Sequence, residues 1–336
     1  MRKKPSITAD PHPGAGSLLQ DEAIALAYAL TAKAAEQAGV RALAIKGTVS
    51  TLHGLRPART PADVDILIDP DGFPAFSRQL EDWGWWIRLG EFTDFPVPHH
   101  SATYIHDQWP CDIDAHHRFP GFLASPDQVF DALWERRAQF TSAGRHVPMT
   151  DWASSVAITA LHSVRGDPSQ PRHRDELRHL LDLAPTWTHQ QRADLAGLAQ
   201  ATGCVKSLDL VWTRMGLVID PTAEAVSDDA LAEWRLKLDG RFPHLRNWFR
   251  YIQDGGPRRA LGRAGTMLWP PETVIRGSGY VADGDLALFR ARLTRLVRAL
   301  WKAPRNLLAM TRGGRSPAHE ALQTDRPRHG VSGAGK

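Results

Sequence analysis

Apolar and polar positions along the chain fall into two regimes, with the change near residue 150. Residues 18 to 39 (LLQDEAIALAYALTAKAAEQAG) are rich in Ala and Leu and predict a helix stopped by Gly39. RALAIKG is a short apolar run ending at Gly47, the pattern of a buried strand. TVSTLHGL predicts a short helix opening at Thr48, and RPARTPA, with two prolines, a loop. ADVDILID reads as a second strand, and DGFPAFSRQLEDWGW as a helix behind a Pro-Asp-Gly turn. Residues 86 to 119 hold two or three strands, the last being CDIDAHHRF. Beyond residue 150, DWASSVAITALHSV and RDELRHLLDLA have helical periodicity, and helices dominate to about residue 250. The expected class is α/β (α+β), a mixed twisted sheet followed by a mainly helical domain.

This pattern divides the 336 residues into a disordered N-terminus (1–17), an α/β unit (18–150), a helical unit (151–280), a C-terminal basic helix (281–312) and a disordered tail (313–336). In the C-terminal helix, Leu286, Phe289, Leu293, Leu296, Val297 and Leu300 share one face, with Arg292, Arg295, Arg298 and Lys302 on another. That is the pattern of a surface helix packing on the core; a membrane-surface or partner helix is the alternative. Charge sharpens the division. The whole chain is only +4, but residues 288 to 336 carry 11 basic and 2 acidic residues, a local +9 that leaves −5 for the rest. The N-terminus has no apolar segment of signal-peptide type, and no stretch reaches the length of a membrane span. The two cysteines, Cys111 and Cys204, lie far apart without metal-ligand spacing. A soluble cytoplasmic protein with no stable membrane insertion is expected.

The chemistry lies at the polar ends of the strands. In a strand, residues two apart share a face, so Asp63 and Asp65 project together, as do Asp112, Asp114 and His116. Side by side, two such strands would bring carboxylates together, and convergent carboxylates need a cation. Oxygen donors of this kind suit Mg²⁺, with Mn²⁺ as a substitute, and substrate phosphates complete its shell. Upstream, Gly47 and Thr48 sit between strand and helix, where backbone N–H groups can cradle a phosphate. Lys46 precedes them, and Arg59 lies four residues before Asp63; both can neutralise phosphate or pair with the aspartates. His116 reads as a partner of Asp114, while His99, His100 and His106 read as loop residues. The basic turn holding His162, Arg165, Arg172, Arg174 and Arg178 is within reach of phosphates or is a solvated surface.

At IKGT, ADVDILID and CDID the sequence resembles the DNA polymerase β-like nucleotidyltransferase superfamily. More closely, IKG, RTPADVDILI and DIDAH resemble the bacterial uncharacterised nucleotidyltransferase family, over about residues 25 to 190. The resemblance implies a nucleotidyltransferase fold. Asp63, Asp65 and Asp114 would act as catalytic metal ligands, with Asp112 as the rival third carboxylate. Gly47 and Thr48 would meet the β- and γ-phosphates of ATP or another NTP, helped by Lys46 and Arg59. It implies an Mg²⁺-dependent transfer of a nucleoside monophosphate to an acceptor, with release of pyrophosphate. The acceptor class stays open between a small molecule, a peptide or protein, and tRNA, in a tailoring or toxin role. The alternatives are an inactive nucleotide-binding or scaffold protein of the same fold and a metal-dependent phosphohydrolase.

Overall fold

The computed structural model describes residues 18–88, 100–165 and 171–221, together with residues 226, 230, 231, 234, 285–290, 292–294 and 296–297. The expected disordered ends, 1–17 and 313–336, and most of 222–284 lie outside the described residues.

The chain opens with α1 (Gln20–Ala38), whose first turn is closed by the Glu22 carboxylate accepting the Leu19 N–H at 3.1 Å. Gly39 ends it in the left-handed region (φ 66°), as its position in the sequence predicts. Next come β1 (Ala42–Ile45), the six-residue α2 (Gly47–Leu52), β2 (Asp63–Ile68) and α3 (Phe73–Asp82). β3 (Trp86–Ile87), β4 (Ser101–Ile105) and β5 (Asp112–His116) complete the first run of strands. Then follow α4 (Pro126–Glu135), a hairpin of β6 (Ala138–Ser142) and β7 (Arg145–Met149), and the helices α5 (Trp152–Arg165), α6 (Pro171–Leu183), α7 (His189–Thr202) and α8 (Asp209–Arg214). α4 and the hairpin are additions to the elements expected from the sequence.

The seven strands form one mixed sheet in the order β3-β4-β5-β2-β1-β7-β6. β1 runs antiparallel to β2, and β2 runs parallel to β5. Alternation sorts the two faces. Ala44, Val64, Ile66, Ile68, Ile113 and Ala115 face a core built with α1 and α3. Leu43, Ile45 and Leu67 face a second core with α4, α5, α6 and α7. α5 is buried almost all round, with 11 of its residues inside, as expected of a helix enclosed on every side. Residues before and after position 150 therefore share one core: the change there is from sheet to helix, without a break in packing. Arg41 ties the far end of the sheet, donating to Asp69 at 2.8 Å and pairing with Asp131 of α4 at 2.7 Å.

The described parts of the C-terminal segment are helical, at 285–290, 292–294 and 296–297. There Leu288 is buried while Leu286, Leu293 and Val297 are exposed, so the predicted apolar stripe is not the face turned inward. Among the described residues no helix is long and apolar enough to cross a membrane.

Candidate active site

The second face of the sheet is apolar at one end and acidic at the other. The antiparallel β1–β2 pair brings the end of β1 beside the start of β2, with Ile45 opposite Asp65. The parallel β2–β5 pair sets Asp63 opposite Asp112 and Asp65 opposite Asp114. The carboxylates are thus gathered by strand register across nearly fifty residues of sequence. Asp65, Asp114 and His116 each offer a ligand atom, all within 4.8 Å of one another. Asp63 lines the same pocket, of about 410 Å³, together with Lys46, Gly47 and Arg59. Thr48 and Asp112 are not among the lining residues; the side chain of Asp112 pairs with Arg88 at 2.8 Å.

Small contacts aim these groups. Thr103, opposite Asp114 on β4, donates its hydroxyl to Asp114 Oδ1 at 2.6 Å. His116 Nε2 meets Asp65 Oδ1 at 3.0 Å and stands farther, 3.6 Å, from Asp114 Oδ2. The histidine read from the sequence as a partner of Asp114 thus lies closer to Asp65. Lys46 forms a buried ion pair with Asp65. Its backbone adopts φ 51°, ψ −146°, a region nearly reserved for glycine, and Gly47 follows at φ 37°. Such a conformation costs about 1–3 kcal/mol and persists only where its surroundings enforce it. Here it turns the chain from β1 into α2 with the ammonium group against Asp65. The loop before Asp63 is pinned by Gln20, whose amide donates to the carbonyls of Pro61 and Ala62 at 3.3 and 3.2 Å. Arg59 reaches across to Glu176 of α6 at 3.1 Å rather than to an aspartate.

The sequence profile described as "Uncharacterised nucleotidyltransferase" matches residues 17–216. The chain belongs to this uncharacterised nucleotidyltransferase family. Similar solved structures include that of an antigenic nucleotidyltransferase-like protein from Paracoccidioides brasiliensis. It is 13% identical, covers 62% of this chain and 99% of that one, and has a TM-score of 0.35. A comparison with curated proteins finds no match.

Two aspartates of this family member titrate in opposite directions. Burial pushes Asp63 up to about 6, the neighbouring Asp65 adds to the rise, and Lys46 opposes it. Burial also acts against ionised Asp65, but the Lys46 ammonium and the His116 hydrogen bond outweigh it and hold that carboxyl below the usual range. Two residues to which the sequence reading gave no role, His100 and Arg56, also line the pocket. His100, expected as a loop residue without a role, accepts from Arg165 Nη1 at 3.2 Å. Burial and the Arg165 charge push it down to about 2, so it stays neutral. Arg165 and Lys46 both lie over the Phe119 ring, at 5.6 and 5.7 Å. Arg56 donates through Nε to Thr51 at 3.1 Å, while its Nη2 is buried with no hydrogen-bond partner among the described residues. His162 and Arg172 of the basic turn line the pocket; Arg174 and Arg178 do not. No local pattern marked His100 or Arg56; their roles arise only from tertiary placement. The pocket thus combines an acidic centre with five cationic side chains, Lys46, Arg56, Arg59, Arg165 and Arg172.

Proposed function

We propose that the protein is a divalent-cation-dependent nucleotidyltransferase that moves a nucleoside monophosphate from an NTP to an acceptor. The observation that carries this reading is the register placing Asp65 beside Asp114 in the lining of a pocket that also holds five cationic side chains. The carboxylates would suit Mg²⁺ or Mn²⁺, which Asp65 and Asp114 would hold, with Asp63 lining the same pocket as a further carboxylate. An ion bound there polarises phosphoryl oxygens.

The remaining roles belong to the chain's own residues. α2 has only six residues and a correspondingly weak dipole, so side chains meet most of the phosphate charge. Lys46, Arg59 and Arg56 Nη2, which has no hydrogen-bond partner among the described residues, are the donors for it, with the Gly47 turn allowing close approach of a phosphate and Thr48 next in the chain. Asp114, fixed at one oxygen by Thr103, receives the proton of the acceptor hydroxyl. The acceptor oxygen bonds the α-phosphorus, the α–β bridging bond breaks, and pyrophosphate leaves. Positioning and electrostatics carry such a reaction. His116 in the donor set favours one second reading, a phosphohydrolase using a transition metal.

The test uses purified protein, NTPs labelled at the α- or γ-phosphate, Mg²⁺ or Mn²⁺, and a cell extract as acceptor pool. α-Label entering a protein, RNA or small-molecule fraction, and absent with Asp65→Asn, is the expected result. Release of inorganic phosphate without α-transfer would favour the phosphohydrolase. Nucleotide binding without either would leave a binding protein.

A further inference from the structure

A second group of metal-ligating side chains lies on the helical wall of the pocket and shares no residue with the carboxylate centre. His162 on α5 and His173 and Glu176 on α6 bring one donor atom each within 4.8 Å of one another. His173 and Glu176 are three apart on one helix face, and α5 supplies the third group from across the helix pair. The two imidazoles meet edge to face, with centroids 4.9 Å apart. His162 Nδ1 is buried and has no hydrogen-bond partner among the described residues. A buried polar atom left in that state calls for an explanation, and a neighbouring imidazole and carboxylate provide one if the three share a cation. The carboxylate is already oriented: Arg59 holds Glu176 Oε1 at 3.1 Å, leaving Oε2. Fixing of a ligand by an outer partner is the usual support of a metal site. Arg172 donates through Nε to His173 Nε2 at 3.4 Å.

We propose that His162, His173 and Glu176 form a second metal site, for a divalent transition metal of the Zn²⁺ class. Two imidazoles and one carboxylate are softer than the oxygen donors of the carboxylate centre and select against Mg²⁺. Such an ion joins α5 to α6 and fixes Arg59 and Arg172 at the pocket wall. The inference is independent of nucleotidyl transfer.

The test is metal retention by the full chain, stripped with chelator, loaded with Zn²⁺ and dialysed, with Co²⁺ absorption as a spectroscopic second readout. The variants are Asp65→Asn/Asp114→Asn, which removes the carboxylate centre, and His162→Gln and Glu176→Gln, which remove the proposed one. Expected is tight Zn²⁺ and a Co²⁺ ligand-field spectrum in the wild type and in Asp65→Asn/Asp114→Asn. In both His162→Gln and Glu176→Gln, affinity falls by about tenfold or more and the spectrum changes. Glu176→Gln keeps the shape of the side chain and guards against a folding failure in His162→Gln. Zn²⁺ lost from Asp65→Asn/Asp114→Asn but kept by Glu176→Gln would move the ion to the carboxylate centre and overturn the proposal. Failure of the wild type to retain Zn²⁺ would overturn it as well.

Discussion

Asp63 and Asp65 differ by two positions and by opposite titration, and each makes a prediction. Asp63, raised from 3.8 to about 6, holds its proton more strongly in the folded chain than in the unfolded one. Its stabilising contribution is complete below about pH 4 and is lost as pH rises through about 6. The loss is at most about 3 kcal/mol for a shift of about two units. In chelator, Asp63→Asn should therefore raise urea stability near pH 7.5 by about 2 kcal/mol, with little effect near pH 4. Parallel pH profiles for variant and wild type would rule this out. Asp65 depends instead on Lys46. Lys46→Met strands a buried carboxylate and should cost about 3 kcal/mol in urea unfolding at neutral pH, while removing transfer activity. A variant as stable as the wild type would show that the pair contributes nothing.

At the scale of elements, the proposed function makes the turn from β1 into α2 the feature that would set how closely a phosphate can approach. Gly47→Ala forces a side chain into φ 37° and sets its Cβ 3.2 Å from the Tyr28 hydroxyl. Gly39→Ala imposes a similar strain, φ 66°, with nothing within 4 Å. Both should lose about 1 kcal/mol of stability, but only Gly47→Ala should weaken nucleotide binding, measured by titration calorimetry. Equal affinities in the two variants would remove the turn from the binding site. These elements were legible in the sequence because each has a local cause. The period-two pattern of Asp63, Asp65, Asp112 and Asp114 fixed their shared faces, and glycine marked both turns. The β6–β7 hairpin was not legible: its turn is Ala143-Gly144 at φ 45° and 75°, without the Asn-Gly signal, and Pro148 falls inside β7, where a proline argues against a strand. α4 did carry a signal, the Ser125–Gln128 capping box with Pro126 behind it. His100, Thr103 and Arg56 had none, since each acquires its role from a neighbour distant in the chain.

For the whole molecule, the core shared across position 150 predicts that sheet and helices unfold as one cooperative unit. Leu161, in the C-terminal half of α5, belongs to that core and is fully buried; Leu161→Ala should cost about 3 kcal/mol. Urea unfolding followed by near-UV and far-UV circular dichroism should give one coincident transition in wild type and variant alike. Separate transitions would mean that the helices fold apart from the sheet. The same continuity lets the pocket draw its acid from the sheet and its cations from both halves. If the pocket binds a metal as proposed, the Lys46–Asp65 contact would make it an ion exchanger. An incoming cation must displace an ammonium group tethered to the same chain, whose local concentration never falls. A monovalent ion gains no charge by that exchange, whereas a divalent one does. The displaced ammonium is left as a free donor, so the entry of a cation and the entry of an anion each favour the other.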